Sequence, residues 1–370
     1  MKIPLTSEIA SRHFGRSPGG QPIESWTMAG AGGMQIEAIS YGAIITRVLI
    51  PDREGRLDDV VLGFRSIGPY LEGRAYFGAA IGRVAGRISN GTFTLDGRSY
   101  DLVRNDGPNH LHGGILGFDK KIWDVEATRN ENGEPSLVFL CTSFDGEEGY
   151  PGTVHVRLTY TVSGDNKLIV DVEAKTERAT PFNFTQHSYF NLAGESSRSV
   201  GDHVLQIFAD EFVPADDNLG LMGRFVPVEG RGNDFRHPQR LGDRIPALFQ
   251  KHGDLYRIRP SSEVSNSDSD LRIAARLIHP GSGRVLDVRT TEEYVQLYTG
   301  VGLDGSLSGK SGTFYGAHSG LCLECQGYSD GANHPEMGDI ILRPGYPKRA
   351  ITVYGFSTIV EENSSGENMC

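Results

Sequence analysis

Three short runs carry side chains able to take or give a proton near neutral pH. The first, His318 to Asp330, sets one carboxylate, Glu324, among residues that read as a strand. The second, Asn109-His-Leu-His-Gly-Gly114, offers His110 and His112, and the third, Phe182 to Leu192, offers His187 between small polar and aromatic neighbours. A carboxylate and an imidazole converging on one small ligand are a general base and a general acid. Aromatic and small polar residues beside His187 are the lining that a hydroxyl-rich ring would stack on and bond to.

Each run also has a plainer reading. His187 fits a core histidine satisfied by a backbone carbonyl. His110 and His112 share a parity, so on a strand both would point one way, which suits a zinc pair, although no further local ligands complete such a site. The glycines that follow fit a tight turn that brings backbone close to a ligand. Cys322-Leu-Glu-Cys325 is a CxxC by count, but a redox motif of that kind opens a helix, and this one lies in a strand. On a strand, Cys322, Glu324 and Gln326 share one face and Leu321, Leu323 and Cys325 the other. Glu324 then faces a cleft while the leucines enter the core, and a buried carboxylate on an apolar strand needs a partner. Arg83 and Arg87 read as surface arginines, with Arg87 also suited to bind a sugar hydroxyl or ring oxygen through its fork of donors. Asp254 has only its charge to recommend it.

The elements that must position these groups are short. Val154, Val156, Leu158 and Tyr160 alternate with polar residues, Leu168, Val170 and Val172 repeat the pattern, and Asp165-Asn166 lies between, which predicts a hairpin. Leu271, Ile273, Ala275 and Leu277 alternate again before the turn Pro280–Gly283. Forty-eight glycines and eighteen prolines leave no room for long helices, with the stretch Pro238–Phe249 as the one exception expected. The expectation is an all-β, large antiparallel β-sandwich built as a single domain over residues 1–370, with a polar surface loop near 260–270 and a frayed C-terminus.

Composition narrows the partners. A formal charge of -11 with no basic block argues against a phosphate-backbone binder, while a neutral ligand is indifferent to that field. No apolar run of 18 residues appears and the N-terminal stretch has no signal-like apolar core, so the expectation is a cytoplasmic protein with no membrane partner. Four cysteines, at 141, 322, 325 and 370, are too few for a disulfide framework. Three matches to the glycosylation pattern, at Asn90, Asn183 and Asn363, are expected to be chance.

Taken in order, several runs resemble the aldose 1-epimerase (galactose mutarotase) family. They are Tyr41-Gly-Ala43, Ala80-Ile-Gly-Arg-Val-Ala-Gly-Arg-Ile88, Asn109–Gly114, Asn183–Gly194, Gln296-Leu-Tyr-Thr-Gly300, Cys322-Leu-Glu324 and Leu342-Arg-Pro-Gly345. The resemblance implies a β-sandwich with the sugar in an open cleft, Glu324 as catalytic base and His187 as catalytic acid. It further implies His112 near the ring oxygen, and Arg87, Asp254 and Gln296 as contacts to sugar hydroxyls. No metal or redox cofactor is implied, and the expected assembly is a monomer or homodimer. A glycosidase would want two carboxylates about the scissile bond, and only one has a case here. The chain departs from the family's Gly-Tyr-Asp-His-Asn-Phe around the binding aspartate, having His252-Gly-Asp-Leu-Tyr-Arg257, and from its Leu-Glu-Thr-Gln, having Leu323-Glu-Cys-Gln326. The rim that reads the C4 and C6 hydroxyls is therefore altered, which keeps two alternatives open: an isomerase of another hemiacetal or non-sugar metabolite, and a carbohydrate-binding protein without turnover.

Overall fold

Alternation of apolar and polar residues dictates the largest layer. Val154–Val162 and Lys167–Thr176 pair antiparallel around the Asp165-Asn166 turn, as their period-2 pattern predicts. In the computed structural model, which describes residues 9–72, 75–248, 252–260 and 271–359, this hairpin sits inside a nine-stranded sheet. Its neighbours on one side are Pro135–Ser143 and Asp124–Arg129; on the other come Lys348–Thr358, Arg284–Thr290, Arg272–Ile278, Val204–Ile207 and Gln239–Arg240. Arg272–Ile278 and Arg284–Thr290 are the second foreseen hairpin, with a bulge between Ile273 and Ala275 that lets both Ala274 and Ala275 turn inward.

Two five-stranded sheets complete the framework. Ile9–Arg16 to Leu57–Asp59 form an N-terminal meander. Val226–Pro227, Ala209–Val213, Asp254–Ile258, Tyr294–Tyr298 and Cys322–Gln326 form the other, in that order. All the pairings within these sheets are antiparallel. One apolar core joins the layers: Leu158, Tyr160 and Val170 of the large sheet meet Val295, Leu297 and Leu323 of the third, with Ile45 and Val48 of the meander. Each face that is apolar by alternation is buried against another, as a sandwich requires.

Among the described residues, helix is confined to short turns. In the stretch Pro238–Phe249, Leu241–Arg244 is α-helical and Ile245–Ala247 a 3-10 turn, so the exception allowed there amounts to two turns. No helix among the described residues is long and apolar enough to cross a membrane. The loop expected near 260–270 falls, beyond Pro260, outside the described residues, as does the C-terminus from residue 360. Cys141, Cys322 and Cys325 are buried free thiols. Cys322 and Cys325 enter different apolar clusters on opposite faces of their strand, so they cannot act as a CxxC pair.

Candidate active site

Glu324 is placed by its strand. Cys322–Gln326 is buried along its whole length, with Leu323 and Cys325 in the main core. Alternation then sends Glu324 and Gln326 to the other face, where both line a cleft of about 550 Å³. Gln296 pairs directly with Glu324 across the ladder and lines the same cleft, its amide donating to the His252 carbonyl at 2.9 Å.

His187 ends the short strand Thr185–His187, which pairs with Ala79–Ile81. Its Nε2 stands 3.6 Å from Glu324 Oε1, and the two side chains are only 5% and 4% exposed. Behind it, Nδ1 lies 3.5 Å from the Cys322 thiol. Tyr76 and Tyr189 flank the ring, with centroids 5.8 and 5.1 Å away. The carbonyl-satisfied core histidine is instead His110, whose Nδ1 meets the Val103 carbonyl at 2.6 Å and whose Nε2 meets the Tyr150 hydroxyl at 2.8 Å.

His110 and His112 therefore do not point the same way, contrary to the parity argument. Their strand ends at Leu111, and His112 adopts a left-handed backbone, φ 53°, that turns its ring into the cleft. The glycines that follow serve protein packing: a Cβ on Gly113 would sit 1.9 Å from the Gly82 carbonyl oxygen. His112 Nδ1 accepts the Gly86 N–H at 3.1 Å, and Gly86 itself, φ 77°, has Ser329 Oγ where a Cβ would lie.

That single hydrogen bond decides the tautomer. A backbone N–H can only donate, so neutral His112 carries its proton on Nε2. His112, His187 and Glu324 each offer a ligand atom within 4.8 Å of the others, the outline of a metal site. A metal on His112 Nε2 would move the ring proton to Nδ1, where it would face the Gly86 N–H, whereas metal-bound histidines donate through the second nitrogen. The donor set thus fits a hydrogen-bonding ligand and fits a metal badly.

Arg87 lines the cleft beside His112, with Nε donating to Asp106 Oδ2 at 2.7 Å. Asp254 does not reach the cleft. Gly253, φ 80°, breaks the alternation, and in the strand Asp254 pairs with Leu297, which continues to Leu323 on the core side. Its Oδ1 accepts from Asn233 Nδ2 at 3.2 Å. The side chain this segment presents to the cleft is His252. Sequence reasoning also passed over Tyr76, which lies in a stretch without any distinguishing pattern, and Tyr298, which lies in the run Gln296–Gly300 but was given no role; Gln326 was placed on the right face by alternation and likewise given none. Arg83, read as a surface residue, is 2% exposed.

Burial sets the charges. It pushes the Glu324 carboxyl up to about 8, with the Arg87 guanidinium pulling the other way. It holds His187 down at about 4, opposed by a hydrogen bond to its own backbone. His252 is likewise lowered to about 4 by burial and then Arg87. His112 falls well below its ordinary value through burial, then His187 and Arg87. At neutral pH the Glu324–His187 pair thus shares one transferable proton.

A β-sandwich whose open cleft gathers a buried carboxyl, three imidazoles and a guanidinium around aromatic walls is a framework for acid/base work on a small polar ring. The family model described as aldose 1-epimerase matches residues 24–355. Galactose mutarotase from Sus scrofa is 42% identical over 345 residues, covering 93% of this chain and 97% of that protein. Aldose 1-epimerase from Escherichia coli (strain K12) is 33% identical, covering 92% and 97%. Among solved structures, the aldose epimerase homologue from C. elegans superposes with a TM-score of 0.80 at 31% identity, covering 90% of this chain and 98% of that one. The chain belongs to the aldose 1-epimerase family, and its sheets are the galactose mutarotase-like supersandwich.

Proposed function

We propose that this protein interconverts the α and β anomers of free aldohexoses such as glucose or galactose, as a single-domain, cofactor-independent cytoplasmic isomerase. The observation that carries the reading is the 3.6 Å approach of His187 Nε2 to Glu324 Oε1 within the cleft. Glu324 as carboxylate takes the proton of the anomeric hydroxyl while His187 as imidazolium protonates the ring oxygen. The C1–O5 bond opens, the aldehyde turns about C1–C2, and the ring closes on its other face with the two roles reversed. His112, with Nε2–H fixed by Gly86, donates a hydrogen bond on the ring-oxygen side. Arg87 and Gln296 hold hydroxyls, and His252 rather than Asp254 faces the ligand from its segment. Positioning and proton transfer together supply the acceleration. The test is the relaxation of optical rotation of fresh α-D-glucose and α-D-galactose. Acceleration over the spontaneous rate supports the reading, and none from folded protein with either sugar rejects it.

The proton count yields a pH prediction. Carboxylate plus imidazolium holds the same number of protons as carboxyl plus neutral imidazole, so the working pair always shares one. It gains a second as pH falls through about 4, where His187 charges, and loses its only one as pH rises through about 8, where Glu324 ionises. The expected kcat/KM profile is a bell, flat between, with each limb falling about tenfold per pH unit. Activity that keeps rising through pH 9 would show that the ionised carboxylate with neutral His187 is the working form.

A further inference from the structure

One wall of the cleft is built by a segment with almost no regular structure. Between Tyr298 and Leu321 the chain makes a single isolated bridge, Ser308 to Phe314, yet Leu303, Leu307 and Tyr315 all face the ligand space. Such a segment has no ladder to hold its shape, and its inner end is held by charge instead. Lys310 is 8% exposed, and its ammonium donates to the Thr46 carbonyl at 2.5 Å, the Val61 carbonyl at 2.8 Å and Asp59 Oδ2 at 2.8 Å. Those are all three of its protons. Asp59 is fixed in turn by the Val48 N–H at 3.1 Å and by Arg47 Nε at 3.3 Å. One residue on, the Ser311 N–H meets the Glu195 carboxylate at 3.2 Å, and that carboxylate also accepts the Tyr315 hydroxyl. The Glu195 N–H donates to the Asp59 carbonyl at 2.7 Å, so both attachments share one base.

That base is the part of the fold that carries the acid. Val61 bridges Phe190, the Leu62 N–H donates to the Tyr189 carbonyl at 2.9 Å, and Phe190 bridges Leu321. Lys310 therefore ties the wall to the strands that place His187 on one side and Glu324 on the other. A buried ammonium is costly unless saturated, and replacing it leaves Asp59 without its buried cation. Of the residues making these attachments only Tyr189 and Tyr315 line the cleft, and Lys310, Asp59 and Glu195 stand outside it.

We infer that Lys310, seated on Asp59, is a positioning residue that holds the 299–320 segment as the sugar-binding wall. The inference rests on the mutarotase reading only for its kinetic consequence. Removing the anchor lets the wall open locally without displacing the acid/base pair, so binding suffers and chemistry does not. The test compares wild type with Lys310→Met by hydrogen exchange and by mutarotation of glucose. Exchange over 299–320 is expected to accelerate at least about tenfold while that of 154–176 is unchanged, with KM raised about tenfold and kcat within about twofold. Unchanged exchange over 299–320, acceleration spread evenly over the chain, or a fall in kcat at constant KM would each overturn it. If Lys310→Met does not fold, Glu195→Gln, which weakens the second attachment, must show the same localised exchange and the same rise in KM, or the inference fails. If wild type turns over no sugar, the proposed activity falls, and the exchange pattern alone still decides whether Lys310 anchors the wall.

Discussion

Glu324→Gln is expected to lower kcat for mutarotation by about 10³-fold or more while leaving sugar affinity within a few-fold, since proton transfer by a positioned group contributes about 10² to 10⁴. The amide keeps the size and the place on the strand but cannot accept the anomeric proton and release it again. His187→Asn should cost a similar factor, and the double variant little more than either alone, because the two act as one unit on one proton. The spontaneous reaction sets the floor, so both variants should approach it. A sugar-binding protein without turnover behaves differently: wild type would bind and not accelerate, and the substitution would change neither. Retention of more than a tenth of wild-type kcat by Glu324→Gln would remove the carboxyl from the mechanism.

The same substitution has a consequence for stability. Folding raises the Glu324 carboxyl from its ordinary value near 4.5 to about 8. The folded state therefore holds the proton more tightly, and the stability this gives is full below about pH 4.5 and is lost as pH rises through about 8. Glutamine is neutral throughout and loses nothing. The variant should thus gain on wild type between pH 5 and 8, by on the order of 4 kcal/mol at the top of the range. Urea unfolding at pH 5 and pH 8 reads this directly, and an equal difference at both would show that the carboxyl is not strained by burial. Activity held at the expense of stability is what a buried carboxyl used as a base implies.

How far these groups could be read beforehand depended on whether local alternation survives to the residue in question. Glu324 was legible because Cys322–Gln326 stays in strand geometry, so parity alone separates it from Leu323. His112 was named through the resemblance, while its parity with His110 does not hold. Parity with His110 assumed a continuing strand, whereas the left-handed turn at His112 separates the two, sending one ring to the core and the other to the cleft. Asp254, assigned to sugar hydroxyls by the resemblance, is turned from the cleft by the same kind of break, since Gly253 exchanges which face the segment offers and brings His252 to the cleft. Strand identity was local and readable; strand partners were not. Nothing near Lys348–Thr358 says that it inserts between Lys167–Thr176 and Arg284–Thr290, because that choice is made by contacts with strands 62 to 188 residues earlier in the chain.

Arg83→Met is expected to destabilise the fold by about 3–5 kcal/mol, since several buried acceptors lose their donor together at about 1–3 kcal/mol each. Set against a total of roughly 5–15 kcal/mol for a typical domain, that is enough to leave much of the protein unfolded at physiological temperature. The guanidinium spends all its donors inside the protein. Nε reaches Ser143 Oγ at 3.2 Å, Nη1 the Pro151 and Gly152 carbonyls at 2.9 and 2.8 Å, and Nη2 the Ser143 and Phe144 carbonyls at 3.1 and 3.0 Å. Burial lowers its pKa to about 10, which still leaves it charged at neutral pH, and Tyr150 lies under it with 5.2 Å from guanidinium carbon to ring centroid. Methionine fills the space but leaves four carbonyls facing apolar surface. Lysine, with three donors on one nitrogen, can satisfy some of them and not the fork, so Arg83→Lys should fall between. The loss also bears on the site, because the Arg83 carbonyl accepts the Asn183 N–H at 3.0 Å, and the same segment supplies Arg87 and the Gly86 N–H that fixes His112. Equilibrium unfolding of wild type and both variants orders them. Wild-type stability in Arg83→Met would mean that the carbonyls find water or other donors once the guanidinium is gone, and the buried fork would then be dispensable to the fold.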